Sequence, residues 1–330
     1  MSDEEDATAQ LLRLAGARAE VPDDRSTRVR ERVRREWRAG RRRRALGRGA
    51  AAIAAVVAAS VALLVFIRVN APRGEAQPQV RILATAERIQ GAPMLHQSGG
   101  GQADLQPLAL SAPIHAGDVV ETGAASRAAM RAIDGSSVRI DRQSRVRLIA
   151  PAVIELLEGA VYVDTSPGSR GFEVRTTLGT VRDLGTRFEV RLDETSLRLR
   201  VRAGTAEIHA GAGVISATAG TEATATARGV ETRRIVIHGS EWEWAAGLAP
   251  GLAIEGRALG AFLDHLAGEE GWIVRYADPT LADVAARTVL HGSVDGLQAE
   301  DALRVALATS GLEYRLHEGE LIVSKPDVPR

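Results

Sequence analysis

Cysteine is absent from the 330-residue sequence, which excludes disulfides, thiolate metal ligands and thiol nucleophiles. Aromatic residues make up only 3% of the chain, whereas glycine occurs 33 times. This balance favours a turn-rich β architecture over a helical bundle. Lysine is also scarce, because arginine supplies all but one of the 42 basic residues. We attribute that skew to the nucleotide composition of the genome.

Motifs of catalysis and cofactor binding are missing as well. The chain has no nucleophile elbow, no phosphate-cradling glycine loop and no dinucleotide fingerprint. Its seven histidines, at positions 96, 115, 209, 238, 265, 291 and 317, never fall at metal-ligand spacing. We therefore predict that the protein is not an enzyme and binds neither a metal nor a cofactor.

One uncharged run, GAAAIAAVVAASVALLVFI at residues 49–67, stands out from the rest of the chain. As a helix these residues would be about 28 Å long, close to the hydrocarbon thickness of a bilayer. A buried core helix or a cleaved signal peptide are the alternatives. No polar residue recurs every three or four positions, and 48 residues precede the run. The pattern predicts one uncleaved transmembrane helix.

The charges beside this run predict its orientation. Six arginines crowd residues 38–48, whereas Arg68 and Arg73 are the nearby cations on the other side. Basic flanks stay in the cytoplasm. We expect a single-pass inner-membrane protein with its N-terminus inside and residues 68–330 in the periplasm.

The predicted cytoplasmic segment, residues 1–48, is basic and has little apolar surface. Its apolar residues fall near a leucine cluster and along one stripe of a second short helix, where a partner could bind. They are Leu11, Leu14, Val29, Val33 and Trp37. The alternative is a solubilising tail whose arginines touch anionic inner-membrane lipid.

Period-two patterns dominate residues 108–238 and predict short strands between glycine turns. In RFEVRLDETSLRLRVR at 187–202, a four-residue turn at 193–196 places apolar residues opposite one another on one face. On the other face Arg191 lies opposite Arg198 and Arg187 opposite Arg202. Like charges so placed are unfavourable, so we expect a neighbouring strand or partner to bring carboxylates; a solvated outer face with splayed arginines is the favoured alternative.

Residues after 238 change pattern. We interpret 239–251 as a linker, whose Trp242 and Trp244 we expect to pack into a domain junction rather than bind a sugar or cation. Residues 252–325 predict a small βαββαββ domain, with strands at 253–255 and 289–294 and helices that stop at glycine. The predicted organisation is a cytoplasmic segment (1–48), a transmembrane helix (49–67), a periplasmic tether (68–107), a β domain (108–238), the linker (239–251) and the α+β domain (252–325).

Several motifs of the β-rich region resemble the FecR domain. The strongest are VRTTLGTV at 174–181 and LGTRFEV at 184–190, and GDVVETG at 117–123, DGS at 134–136 and EGAV at 158–161 accompany them. The resemblance implies a β-solenoid or sandwich-like domain.

The last 75 or so residues resemble the secretin and TonB short N-terminal domain that often ends FecR-type proteins. Residues 259–266, Gly271-Trp272 and residues 298–312 carry this second likeness.

The resemblance implies an anti-sigma factor, since FecR proteins are single-span regulators of iron-uptake genes. Their cytoplasmic segment holds an extracytoplasmic-function sigma factor, and their periplasmic part senses the signalling domain of an outer-membrane TonB-dependent receptor. Proteolysis by a site-specific membrane protease then frees the sigma factor. No direct contact with nucleic acid is implied.

Two sets of contacts follow from this prediction. The sigma factor would bind the apolar residues of the N-terminal segment, and the receptor would pair with a free strand edge in the last domain. The receptor-binding residues would be Leu312, Tyr314, Leu316, Leu321 and Val323. The alternative function is a membrane-anchored periplasmic scaffold that binds an envelope component and no sigma factor.

Overall fold

The structure, a computed structural model, describes residues 31, 34, 81–99, 105–165, 171–211, 213–294 and 296–326. The chain divides into two compact units, Met1–Pro78 and Gln79–Arg330, and the strands and helices below all belong to the second. Among the described residues, no helix has the length and apolar character needed to cross a membrane. The predicted span at 49–67 lies outside them.

Strands make up almost all of the described chain between residues 82 and 234. They are β1 (Ile82–Gln90), β2 (Met94–His96), β3 (Leu105–Pro107), β4 (Pro113–His115), β5 (Val119–Thr122), β6 (Arg127–Ala132), β7 (Ser137–Ile140), β8 (Ser144–Ala150), β9 (Val153–Asp164), β10 (Glu173–Thr176), β11 (Gly179–Asp183), β12 (Arg187–Leu192), β13 (Ser196–Ala203), β14 (Thr205–Ala210), β15 (Gly213–Thr218), β16 (Thr221–Thr226) and β17 (Gly229–Arg234).

These strands form two sheets that share β9. The first sheet has the order β4-β1-β6-β7-β9-β12-β13-β16-β17. The second has the order β3-β2-β5-β8-β9-β10-β11-β14-β15, in which only β9 and β10 are parallel. The first half of β9 pairs within the second sheet and its second half within the first.

The two sheets face each other across one apolar core, so this part of the chain is a β sandwich. Alternate residues of each strand point inwards, for example Val190 and Leu199 from the first sheet and Val181 and Ile208 from the second. The prediction of a mainly β fold is confirmed. We call residues 82–234 the β sandwich.

The register predicted for the hairpin at 187–202 is confirmed at its apolar positions. Leu192 lies opposite Leu197, Val190 opposite Leu199 and Phe188 opposite Val201, with Arg191 opposite Arg198 on the other face. One pair differs, because a bulge between Arg187 and Phe188 places Arg187 opposite Ala203 instead of Arg202.

Glycines mark the places where the chain passes between the sheets. Gly159 lies where β9 changes sheet, Gly204 joins β13 to β14, and Gly220 joins β15 to β16. All three have positive φ, from 74° to 83°, a region that side chains rarely adopt. These three glycines are therefore corners of the sandwich.

The described C-terminal part contains four helices and a third sheet, which has three strands in the order β18-β20-β19. Its elements are α1 (Glu243–Ala246), α2 (Leu259–Glu270), β18 (Ile273–Tyr276), α3 (Thr280–Arg287), α4 (Ala299–Ser310), β19 (Glu313–His317) and β20 (Glu320–Ser324). We call residues 252–324 the C-terminal domain; its apolar core is distinct from that of the sandwich.

Two strands of the predicted βαββαββ order are wrong, and one helix is missing from it. Residues 253–255 and 289–294 are not strands, and Val289 makes only an isolated bridge to Ala258. Helix α3 was not expected, because its eight residues are shorter than the window of about 11 to 18 residues in which helical spacing is recognised, although Leu281, Val284 and Ala285 follow that spacing. The glycine stops are confirmed, since Gly271 ends α2 and Gly311 ends α4 in the left-handed conformation.

Replacing Gly159 by alanine should lower the free energy of unfolding by about 3 kcal/mol, because it adds strain at positive φ to overpacking. A Cβ there would collide with Ser144 and with the backbone oxygen of Gln143. Denaturant unfolding measures the change. Gly185→Ala is the control, since its φ is also positive but the space is open, and it should cost only about 1 kcal/mol. Equal losses in the two variants would contradict the corner role of Gly159.

Candidate functional site

A row of polar side chains crosses the outer face of the first sheet. Arg139, Tyr162, Glu189, Arg200 and Glu222 lie directly opposite one another on β7, β9, β12, β13 and β16. We call these five residues the charged row. They point away from the core because their neighbours in each strand point into it.

The charged row is buried, although the outer face was expected to be solvated. Arg139 is 0% exposed, Glu189 1%, and Arg200 and Glu222 5% each. Buried charges are stable only when they are paired and hydrogen-bonded. The favoured alternative of splayed, solvated arginines is therefore wrong for this row.

Glutamates separate and pair the arginines. Glu222 lies between two of them, with Oε2 2.6 Å from Arg200 Nε and Oε1 2.6 Å from Arg233 Nε. The opposed arginines are paired as well, because Arg191 Nη2 donates to Asp141 over 2.8 Å and Arg198 Nη2 donates to Glu189 over 3.3 Å. Glu189 also lies 3.7 Å from Arg191 Nε, so the two arginines share it. The carboxylates that the hairpin sequence required come from within the sandwich.

The linker covers the charged row. Trp242 is 1% exposed, and its ring meets that of Tyr162 edge-on at 6.1 Å between centroids. Its indole N–H donates to the carbonyl oxygen of Val236 over 3.0 Å, and that of Trp244 donates to Glu189 over 3.1 Å. Both tryptophans thus pack at a domain junction, as predicted.

The end of helix α2 completes the cover. Glu269 Oε2 lies 2.8 Å from Arg139 Nη1, and the same guanidinium donates to the carbonyl oxygen of Ala245 over 2.8 Å. Gly268 and Gly271 allow this approach, because a Cβ would collide with the Arg187 guanidinium at the first position and with the backbone of Ile237 at the second. The C-terminal domain therefore docks on the sandwich through an ion pair.

Burial and charge shift the pKa values of the junction acids in opposite directions. Burial raises the pKa of Glu269, but the positive charge of Arg139 outweighs it, so the pKa lies below its ordinary value. For Asp164 burial dominates and the pKa is raised, although Arg187 offsets part of the rise. Glu269 is the carboxylate that stays ionised and neutralises Arg139.

A polar cleft of about 730 Å³ opens beside the junction. Acidic groups, Glu243, Glu270 and Asp301 among them, outnumber the basic groups in its lining. Within the described residues, no group of three or more histidine, aspartate and glutamate side chains is arranged to hold a metal ion.

The residues predicted to bind the receptor come together in the small sheet, but three of them are core residues. Leu321 and Val323 are fully buried and Leu312 is 7% exposed. Tyr314 and Leu316, on β19, are half-buried against the same core. The predicted sigma-binding residues, Leu11, Leu14, Val29, Val33 and Trp37, lie outside the described residues.

Sequence reasoning missed the residues that join the two domains. Arg139, Tyr162 and Glu269 are distant in sequence and belong to no motif. The available signal was the charge pattern of the hairpin at 187–202. It predicted carboxylates near the opposed arginines but did not identify which residues supply them. Only the pairing of β7, β9 and β12 brings the charges to one face.

Comparisons with known proteins agree with part of the resemblance. The FecR protein family matches residues 118–207, from the start of β5 into β14, so these residues are a FecR domain. No curated protein matches the chain.

Two crystal structures of a protein from Parabacteroides distasonis ATCC 8503, at 1.65 and 2.50 Å resolution, are similar to part of this chain. That protein is provisionally named an anti-sigma factor. Each structure is 17% identical over 63% of this chain and 99% of that chain, with a TM-score of 0.33. Such a score does not establish a shared fold.

Replacing Glu222 by glutamine should lower the free energy of unfolding by about 2 kcal/mol, because the buried Arg200 loses its close partner and keeps the exposed Glu241, 3.3 Å away, as its counter-charge. The control is Glu231→Gln, which removes an exposed charge on β17 and should change stability by less than about 0.5 kcal/mol. Denaturant unfolding at neutral pH measures both.

The loss of unfolding free energy in Glu222→Gln should also depend on pH. Burial raises the pKa of Glu222, but hydrogen bonds from Arg233 and Arg200 outweigh this and hold it below its ordinary value of 4.5. A lowered pKa stabilises the folded state above the unfolded pKa, and that contribution disappears as pH falls through the folded value. The free energies of unfolding of the parent and of Glu222→Gln should therefore converge as the pH falls. A difference between them that stays constant with pH would contradict the pairing of Glu222 with the two arginines.

Proposed function

We propose that this chain, which carries a FecR domain at residues 118–207, is a membrane-anchored regulator of a sigma factor. The FecR domain is the observation that carries the proposal. More specifically, we propose that the chain is an anti-sigma factor of the inner membrane that relays a periplasmic signal to an extracytoplasmic-function sigma factor. We also propose that the genes it regulates serve iron uptake.

The sequence before residue 68 supports the cytoplasmic half of the proposal. An uncharged run of 19 residues follows six arginines, which suits a single span with its N-terminus inside. The apolar stripe of Val29, Val33 and Trp37 suits a short helix that binds a partner. The partner is a protein, and a membrane protease would release it; the segment itself need not touch nucleic acid or perform chemistry.

Strand β19 supports the periplasmic half. It pairs only with β20, so its other edge has unpaired backbone groups among the described residues. Tyr314 and Leu316 are half-buried on its core side, so an added strand could extend that core. Because Leu321 and Val323 are buried, they support this edge instead of contacting the partner. The proposed partner is the signalling domain of a TonB-dependent receptor.

Val33→Asp should abolish sigma-factor binding, because it places a charge in the middle of the apolar stripe. Affinity-tagged full-length chain is co-expressed with each sigma factor encoded by an adjacent gene, and the amount retained is measured. Thr27→Asp adds the same charge away from the stripe and should retain the sigma factor.

A chain lacking residues 2–36 but keeping the membrane-proximal arginines tests the same proposal in cells. Transcription from the sigma factor's promoters should change several-fold. If transcription is unchanged and no neighbouring sigma factor binds, the scaffold alternative replaces the proposal.

Binding of the receptor's signalling domain should slow amide hydrogen exchange in β19, residues 313–317, because strand addition occupies free backbone groups. The edge strands β15 and β17 of the sandwich are internal controls and should exchange at unchanged rates. Protection of β15 or β17 without protection of β19 would contradict the proposed edge.

A further inference from the structure

The β sandwich and the C-terminal domain have separate apolar cores. Buried apolar residues of the sandwich core run from Leu83 to Ala225, and those of the C-terminal core run from Ile254 to Val323. Among the described residues, the apolar cluster between them is small and consists of Tyr162, Trp242 and Ala245, with Ile235 and Trp244 beside it. Separating the domains would therefore leave both main cores intact.

The contact between the domains is instead built on charge, and several of its polar atoms have no hydrogen-bond partner within the described chain. They include the Tyr162 hydroxyl, Arg139 Nη2, both Nη atoms of Arg202, and Glu269 Oε2, which forms an ion pair with Arg139 but no hydrogen bond. Buried polar groups in this state cost free energy that they would regain in water. The docked arrangement is thus opposed by desolvation at the place where the domains meet.

One ion pair holds this contact across the domains. Glu269 Oε2 on α2 lies 2.8 Å from Arg139 Nη1 on β7, and the side chains are 7% and 0% exposed. Arg139 also stacks over Tyr162, with its Cζ 5.0 Å from the ring centroid. Its second acid, Asp164, is 4.0 Å away and is shared with Arg187. Without Glu269, Arg139 would keep only this distant carboxylate.

We infer that the C-terminal domain is a releasable module, and that the Arg139–Glu269 ion pair is the latch that holds it on the sandwich. Residues 247–253, with Gly247, Pro250 and Gly251, form no helix or strand and connect α1 to the C-terminal domain. Release moves α2 away from the first sheet and hydrates Arg139 and Tyr162. This device does not rest on the proposed function, since it concerns only contacts within residues 79–330.

The physics of buried ion pairs makes the latch testable. Removing one partner leaves an uncompensated charge and favours release, whereas replacing both by apolar side chains of similar volume is neutral or stabilising. Glu269→Gln should therefore open the junction, and the double variant Arg139→Met with Glu269→Met should keep it closed. Glu270→Gln is a matched control, because it removes the same charge from the next residue of α2. The side chain of Glu270 forms no hydrogen bond or ion pair within the described chain.

Distance measurements between two spin labels on the full chain provide the test. The absence of native cysteine allows labels at Ala227→Cys, in the β16–β17 turn, and Ala286→Cys, on α3, both of which are exposed. We expect Glu269→Gln to raise the population at longer distances about tenfold or more over the parent, with Glu270→Gln and the double methionine variant unchanged. Identical distance distributions in Glu269→Gln and Glu270→Gln would overturn the inference.

Hydrogen exchange distinguishes release from unfolding. In Glu269→Gln, where the spin labels move apart, the amides of Val190 and Leu303, in the two cores, should stay protected. If both cores lose protection as the labels move apart, the two domains form one cooperative unit and no latch exists. Opening of the double methionine variant would equally overturn the role of the ion pair.

Discussion

The alternation of apolar and charged residues along the strands of the first sheet is the constraint on which the rest of the structure depends. One set of side chains, such as Phe188 and Val190, must be withdrawn from water, which brings the second sheet against it. The other set then shares a single outer face. Once the linker and α2 cover that face, each buried charge requires a partner of opposite charge. The order of the strands provides such partners, because Glu222 lies between Arg200 and Arg233 on adjacent strands.

Strand β9 connects this constraint to the topology. Its twelve residues are long enough to serve both sheets, and Gly159 allows the backbone to turn where it changes from one to the other. Tyr162 and Asp164 follow that corner and therefore lie on the outer face, beside Arg139 and Arg187. A corner required for the sandwich thus also places two groups of the domain junction. The FecR domain at 118–207 contains this corner, whereas Glu269 lies beyond its end.

Local patterns were predictable where neighbouring residues decide the outcome. The four-residue turn at 193–196 and the period of two in its strands determine which residues face each other, so the hairpin register could be written down in advance. Helix stops at Gly271 and Gly311 are likewise local, because they depend on one backbone conformation. Helix α3 was not predictable in this way, since its eight residues are too few for the helical spacing of Leu281, Val284 and Ala285 to stand out. The exposed outer face was predicted wrongly because the residues that cover it come from another part of the chain.

The sequence by itself determined the β-rich character, the hairpin register, the helix stops and the FecR likeness, because each depends on residue type and short spacing. The opposed arginines of the hairpin also predicted that carboxylates lie close to them. Only the tertiary structure decided which carboxylates pair with those arginines, and that the C-terminal domain docks on the sandwich through a buried ion pair. Arg139 and Glu269 are 130 positions apart, and a pair so distant is selected by strand order and domain packing, to which no local pattern in the sequence corresponds.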